Sequence, residues 1–147
     1  MTSRTYSEQE ISDKLASELP HWYLESGWIR RKYKTSGWKA TLMVVNSIGH
    51  LAEAAWHHPD LTVSYAFVIV KLCTHDTKGI TDKDFELAVK IEQVIGWQPA
   101  LEAKADGSKS ALDGTPNEDA RFKYIKYDWM PTFGQVRAFE GALDSSR

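Results

Sequence analysis

The chain has 147 residues, of which 42% are hydrophobic, with one cysteine and a formal charge of −2. That length holds one sizeable core and not two domains of ordinary size, and the charge argues against a protein whose main task is to neutralise nucleic-acid phosphates. The single thiol, Cys73, forms no internal disulfide, so a reducing cytoplasm is the expected setting. The first ten residues lack the apolar core of a secretory signal and no apolar run reaches bilayer length, so no membrane span is expected.

Ser7 with Glu10 three residues later forms a capping box, in which the serine oxygen and the glutamate carboxylate each satisfy an orphan backbone N–H of the other. The helix that follows carries Ile11, Leu15 and Leu19 on one face, and Pro20 stops it. Trp22-Tyr23-Leu24 and the stretch Trp28 to Tyr33 then flank Ser26-Gly27, which predicts a hairpin with one basic, solvated face. From Ser36 to about His57, the apolar residues Trp38, Leu42, Val45, Ile48, Ala52 and Ala55 recur every three or four positions, the period of a long amphipathic helix. Pro59 ends it and forces His58 towards an extended conformation, with His57 expected in the last helical turn.

Leu61 to Thr74 is β-branched and aromatic and is read as two strands joined near Ala66-Phe67, although no Asn-Gly or Asp-Gly marks the turn. Gly79 breaks the pattern, and Thr81 with Asp84 announces a third helix bearing Phe85, Leu87, Ala88, Ile91, Val94 and Ile95. Helix, two strands, helix, two strands, helix gives an α+β fold, an antiparallel sheet with its helices gathered on one face. The other face is expected to be solvated or covered by a second copy of the chain. Residues 1–97 form this domain. Residues 98–147 read as a loop rich in Pro, Gly and Ser and then an aromatic-basic stretch, Arg121 to Trp129, that wraps the domain or holds a protein partner.

Three of the five histidines, His57, His58 and His75, fall within nineteen positions. Glu53 lies four residues before His57, a spacing that puts both on one helix face and lets the carboxylate orient the ring. Three readings are open on residue types alone. The rings are solvated helix-end histidines, gaining roughly 0.3 to 1 kcal/mol from the helix dipole. They are metal ligands with Glu53, although adjacent histidines rarely point at one ion and no His-x-x-x-His spacing occurs. Or they are an acid-base set, since imidazoles near neutrality take a proton at one atom and deliver one at another.

Glu53-x-x-x-His57-His58-Pro59-Asp60, then Tyr65, then Leu72-x-Thr74-His75-Asp76-x-x-Gly79-Ile80-Thr81-x-x-Asp84-Phe85, resembles the signature of the pterin-4a-carbinolamine dehydratase family. Leu19-Pro20-x-Trp22, the Trp28 to Tyr33 strand and the spacing of the long helix follow the same pattern, covering roughly residues 10 to 97. The resemblance implies a four-stranded antiparallel sheet with three helices on one face, assembled as a homodimer or homotetramer. It implies dehydration of a 4a-hydroxytetrahydropterin to the quinonoid dihydropterin in tetrahydrobiopterin recycling, with no metal, nicotinamide or flavin. It casts His57, His58 and His75 as the catalytic set and Glu53, Pro59, Thr74, Asp76 and Lys83 as substrate contacts. Trp56 stands beside the histidines, where a core or interface place is preferred to stacking on the ligand. Ala66 replaces an asparagine of many relatives, Leu61 a tryptophan of the animal proteins and Lys83 their arginine, and none of these changes removes an acid or base. The family also contains transcription-factor dimerisation cofactors and relatives that help assemble Rubisco, so a non-catalytic binding role on the same scaffold is the alternative.

Overall fold

The Ser7 capping box forms as its spacing requires: the Glu10 amide donates to Ser7 Oγ at 3.2 Å and the Ser7 amide to the Glu10 carboxylate at 3.4 Å. This opens α1, Glu8–Glu18, in a computed structural model that describes residues 4–99, 102, 104–112 and 125–126. Next come β1, Tyr23–Glu25, and β2, Trp28–Thr35, joined by the two-residue turn Ser26-Gly27. Both turn residues have positive φ, 53° and 80°, which suits the right-handed twist of a hairpin and is easy only for glycine at the second position. The chain continues through α2, Trp38–Ala55, β3, Asp60–Ser64, β4, Phe67–Leu72, and α3, Asp82–Ile95. The sheet order is β1-β2-β4-β3 with every pairing antiparallel, as expected.

Ile29, Arg31 and Tyr33 of β2 pair with Leu72, Val70 and Val68 of β4, so these residues share the face that meets the helices. Ile29, Tyr33, Val68, Val70 and Leu72 join Ile11, Leu15, Val44, Ile48, Phe85, Ala88 and Ile91 in one core. The opposite face carries Arg30, Lys32 and Lys34 on β2, with Lys32 placing its ammonium 4.4 Å from the centre of the Phe67 ring. Among the described residues no helix is long and apolar enough to cross a membrane.

A buried cation sits within this core face. Arg31 is 9% exposed and meets Glu92 of α3 at 2.5 Å, where the same carboxylate oxygen also accepts from the Trp22 indole at 3.0 Å and the Tyr33 hydroxyl at 2.9 Å. Removing Glu92 strands three donors at once. Glu92→Ala is therefore expected to cost about 2–3 kcal/mol, the lower side of the range for breaking a buried pair because Glu92 is itself partly open to water. A urea midpoint within error of the wild type would show that this junction contributes nothing to stability.

Two expectations are corrected at α2. The helix was expected to reach His57 but ends at Ala55, and its core face is Ala40, Thr41, Val44, Ile48 and Ala52. Trp38 and Leu42 turn outward instead, at 50% and 39% exposure. Lys39, Asn46, His50 and Glu53 mark one polar stripe, but the apolar arc beside it is wide, and Leu42 falls at its edge. Thr41 decides the phase: its hydroxyl lies 2.6 Å from that of Thr35 and donates to the Tyr65 carbonyl at 2.9 Å. Gly37 precedes the helix at φ 151°, a region closed to L side chains, with the Tyr65 hydroxyl 3.3 Å from where a Cβ would stand.

A short strand, β5, Ile125–Lys126, pairs with Lys34 and Thr35 on the side of β2 that β1 leaves uncovered. The rest of the aromatic-basic stretch lies outside the described residues, as do residues 100, 101, 103 and 113–120 of the expected loop before it.

Candidate active site

The C-terminus of α2 builds the first part of the site. The His57 amide donates to the Ala52 carbonyl at 3.1 Å and the Trp56 amide to the Glu53 carbonyl at 3.2 Å, two bonds that close a Schellman turn. Such a turn needs a left-handed residue, and here it is Trp56, with φ 50° and ψ 44°. Glycine or asparagine fills that place without strain, whereas tryptophan pays roughly 1–2 kcal/mol. The turn throws the backbone out of the helix before His57, which separates His57 from the helix face that holds Glu53.

His57 pairs instead with Asp84 on α3, its Nε2 lying 2.7 Å from Oδ1. Asp84 is completely buried. Its other oxygen accepts from the Thr74 hydroxyl at 2.7 Å and the Thr81 amide at 2.9 Å, while the Thr81 hydroxyl lies 2.8 Å from that of Thr74. Since Thr74 spends its proton on Asp84, Thr81 is the donor to Thr74. That oxygen of Asp84 thus meets two donors, which leaves Oδ1 as the acceptor that faces His57. A carboxylate oxygen facing Nε2 places the proton of a neutral His57 on that nitrogen and leaves Nδ1 free to take one. The negative charge is felt nearby: burial first, then Asp84 and Asp60, push the Cys73 thiol above its ordinary value, so Cys73 is not a ready nucleophile.

Glu53 partners His58 rather than His57, with Nε2 and Oε1 2.8 Å apart and both side chains more than half exposed. A pair so open to water is worth under about 1 kcal/mol and yields easily to a ligand. Trp56 is 76% exposed and stands edge-on to His58, ring centres 5.0 Å apart. It is therefore not a core residue of the subunit. Thr74 forms an isolated bridge with Gly79, closing a tight loop that presents His75 and Asp76 to solvent. His75 stands edge-on to Trp28 of β2, ring centres 5.6 Å apart. Pro59 is half-buried at the entrance to β3, and Lys83 is exposed on the first turn of α3.

Asp84 therefore gathers His57 and Thr74 in one buried network, with His75 the next residue along the chain. Glu53, Trp56 and His58 form a second, solvent-facing group around the same turn. Asp76 and Lys83 stay at the rim. Among the described residues no three His, Cys, Asp or Glu side chains converge as metal ligands would. Chemically, the arrangement offers one imidazole anchored by a buried carboxylate beside imidazoles open to a ligand. Sequence reasoning passed over Asp84 as a site residue, treating it only as the acid three residues into a helix. The available signal was that a capping carboxylate has two oxygens, and the Thr81 amide uses one.

The sequence model of the pterin 4 alpha carbinolamine dehydratase family matches residues 4–94. A protein of Aquifex aeolicus (strain VF5) named "Putative pterin-4-alpha-carbinolamine dehydratase" is 45% identical over 92 residues, 63% of this chain and 92% of its own. One of the same name from Chloroflexus aurantiacus (strain ATCC 29366 / DSM 635 / J-10-fl) is 42% identical over 90 residues, 61% of this chain and 96% of its own. The crystal structure of a transcriptional coactivator/pterin dehydratase from Brucella melitensis superposes with a TM-score of 0.57 at 25% identity, covering 62% of this chain and 98% of the other. The matched segment contains every element from α1 to β4, nearly all of α3 and all the residues just described, and on that ground the chain belongs to the pterin 4 alpha carbinolamine dehydratase family.

Proposed function

We propose that the chain dehydrates a 4a-hydroxytetrahydropterin to the quinonoid dihydropterin, with His57, His58 and His75 as the acid-base set. The observation that carries this reading is the carboxylate-anchored His57 next to the solvent-facing His58, with His75 following Thr74 of the same network, within the segment that matches the family. Hydroxide is a poor leaving group, so an imidazolium protonates the 4a oxygen as the C–O bond breaks. A neutral imidazole takes the proton from the neighbouring ring nitrogen, whose lone pair forms the C=N bond, and water leaves. The step changes no oxidation state overall, so the chemistry calls for no redox cofactor.

Asp84 acts by holding His57 in one orientation and one tautomer, as an orienting carboxylate does in hydrolase triads. Glu53, freed from His58, accepts N–H groups of the pterin, with Thr74, Asp76, Pro59 and Lys83 as further contacts. The exposed Trp38, Leu42 and Met43 on α2 support work as a homodimer or homotetramer. The purified protein, without added metal, is expected to accelerate dehydration of freshly generated 4a-hydroxytetrahydropterin. A rate equal to the spontaneous one would sink this reading.

A binding role is the second reading, favoured by the dual description of the Brucella relative as coactivator and dehydratase. Pull-downs with the full chain and with a form lacking residues 98–147 address it. Identical partner lists would count against a recruiting C-terminal segment.

A further inference from the structure

Trp56 is an expensive residue to keep where it stands. It occupies the one left-handed position of the Schellman turn, where glycine or asparagine would be free of strain, and it buries little of its indole in the subunit. Strain held at a ligand-facing turn needs a return from something outside the fold. What the conformation does achieve is placement: the indole leaves the turn directly beside His58, the two rings nearly perpendicular at 84°, a contact that covers at most one indole face. Next along the chain from Thr74 of the buried Asp84 network, His75 meets Trp28 with the two rings at 73°. Both solvent-facing imidazoles of the site thus have a tryptophan as neighbour.

We infer that Trp56 is a substrate-binding residue whose indole face stacks on the flat, conjugated guanidine-amide part of the pterin ring and sets affinity for it. The inference rests on the pterin reading above and adds a contact to it. Flat conjugated amide systems stack well on indole, and a perpendicular pair covers at most one indole face, so the 76% exposed Trp56 keeps a face for the ring while His58 stays within its reach. The left-handed backbone fixes the direction in which the indole leaves the turn, towards His58.

The test titrates the full-length protein with 7,8-dihydrobiopterin by calorimetry, for the wild type, Trp56→Asn and Trp56→Phe, alongside thermal melts and light scattering for assembly size. Trp56→Asn is expected to bind about tenfold more weakly, the effect of losing one ring stack. Its melting temperature is expected to rise by about 3 °C, because asparagine tolerates the left-handed turn. Trp56→Phe, which keeps a ring on a strained backbone, is expected to recover most of the affinity and none of the stability. In dehydration assays KM should move with the affinity and kcat less so. Unchanged binding in Trp56→Asn overturns the proposal, and so does a change confined to assembly size, which would make Trp56 a subunit contact. A wild type that binds dihydropterin, with Trp56→Asn weaker, but does not accelerate dehydration would sink the enzymatic reading and leave this one standing. No binding by the wild type would overturn both.

Discussion

Asp84→Asn is expected to lower kcat by about 100-fold while leaving the fold in place, because the substitution reverses the proton arrangement of His57. The Thr81 amide is a fixed donor, so the asparagine oxygen must face it and the Thr74 hydroxyl, which turns the NH2 group towards His57. Nε2 then accepts, and the proton moves to Nδ1, the atom proposed to act as base. Asp84→Ala goes further. It leaves the Thr81 amide, the Thr74 hydroxyl and His57 without their acceptor in a site closed to water, and the expected cost is about 3 kcal/mol, or a melting temperature lower by about 10 °C. Steady-state assays and thermal melts on both variants separate the effects. An Asp84→Asn enzyme with wild-type kcat would show that the carboxylate holds the fold and has no hand in the chemistry.

The second large effect is expected at the imidazoles. His57→Ala and His75→Ala should each remove most of the dehydration rate, about 100-fold or more, as loss of a general acid or base does. The two differ in stability. His57 is the partner of a fully buried carboxylate, so its removal leaves Asp84 Oδ1 unsatisfied and should cost about 1–2 kcal/mol. His75 is exposed on its loop, so His75→Ala should melt within about 0.5 kcal/mol of the wild type. That makes His75→Ala the cleaner experiment, since a folded, stable variant at the wild-type rate would strike this histidine from the mechanism.

The elements were legible where a local signal and the tertiary need coincided. The Ser7–Glu10 box and the Ser26-Gly27 turn rest on near neighbours in sequence, and the period of α3 marks Phe85, Leu87, Ala88, Ile91 and Ile95 for the core, although Val94, expected with them, is 43% exposed. The β3–β4 turn had no such signal. Its residues Tyr65 and Ala66 have ordinary φ values, and their carbonyls are held from outside by the Thr41 hydroxyl and the Thr35 amide. Composition marked the stretch as strand without deciding between one strand and two, and long-range bonds hold the bend at Tyr65 and Ala66.

By itself the sequence determined the α+β class, the order of elements and the concentration of imidazoles around the end of α2, because those follow from periodicity, capping chemistry and residue type. Which groups pair was decided only in three dimensions. Glu53 and His57 stand four residues apart and would meet on a continuous helix, but a left-handed Trp56 ends the helix between them. Glu53 consequently meets His58, and His57 crosses to an aspartate 27 residues away. A helix period fixes neighbours only as far as the helix runs, and where it stops is settled by what the chain packs against next.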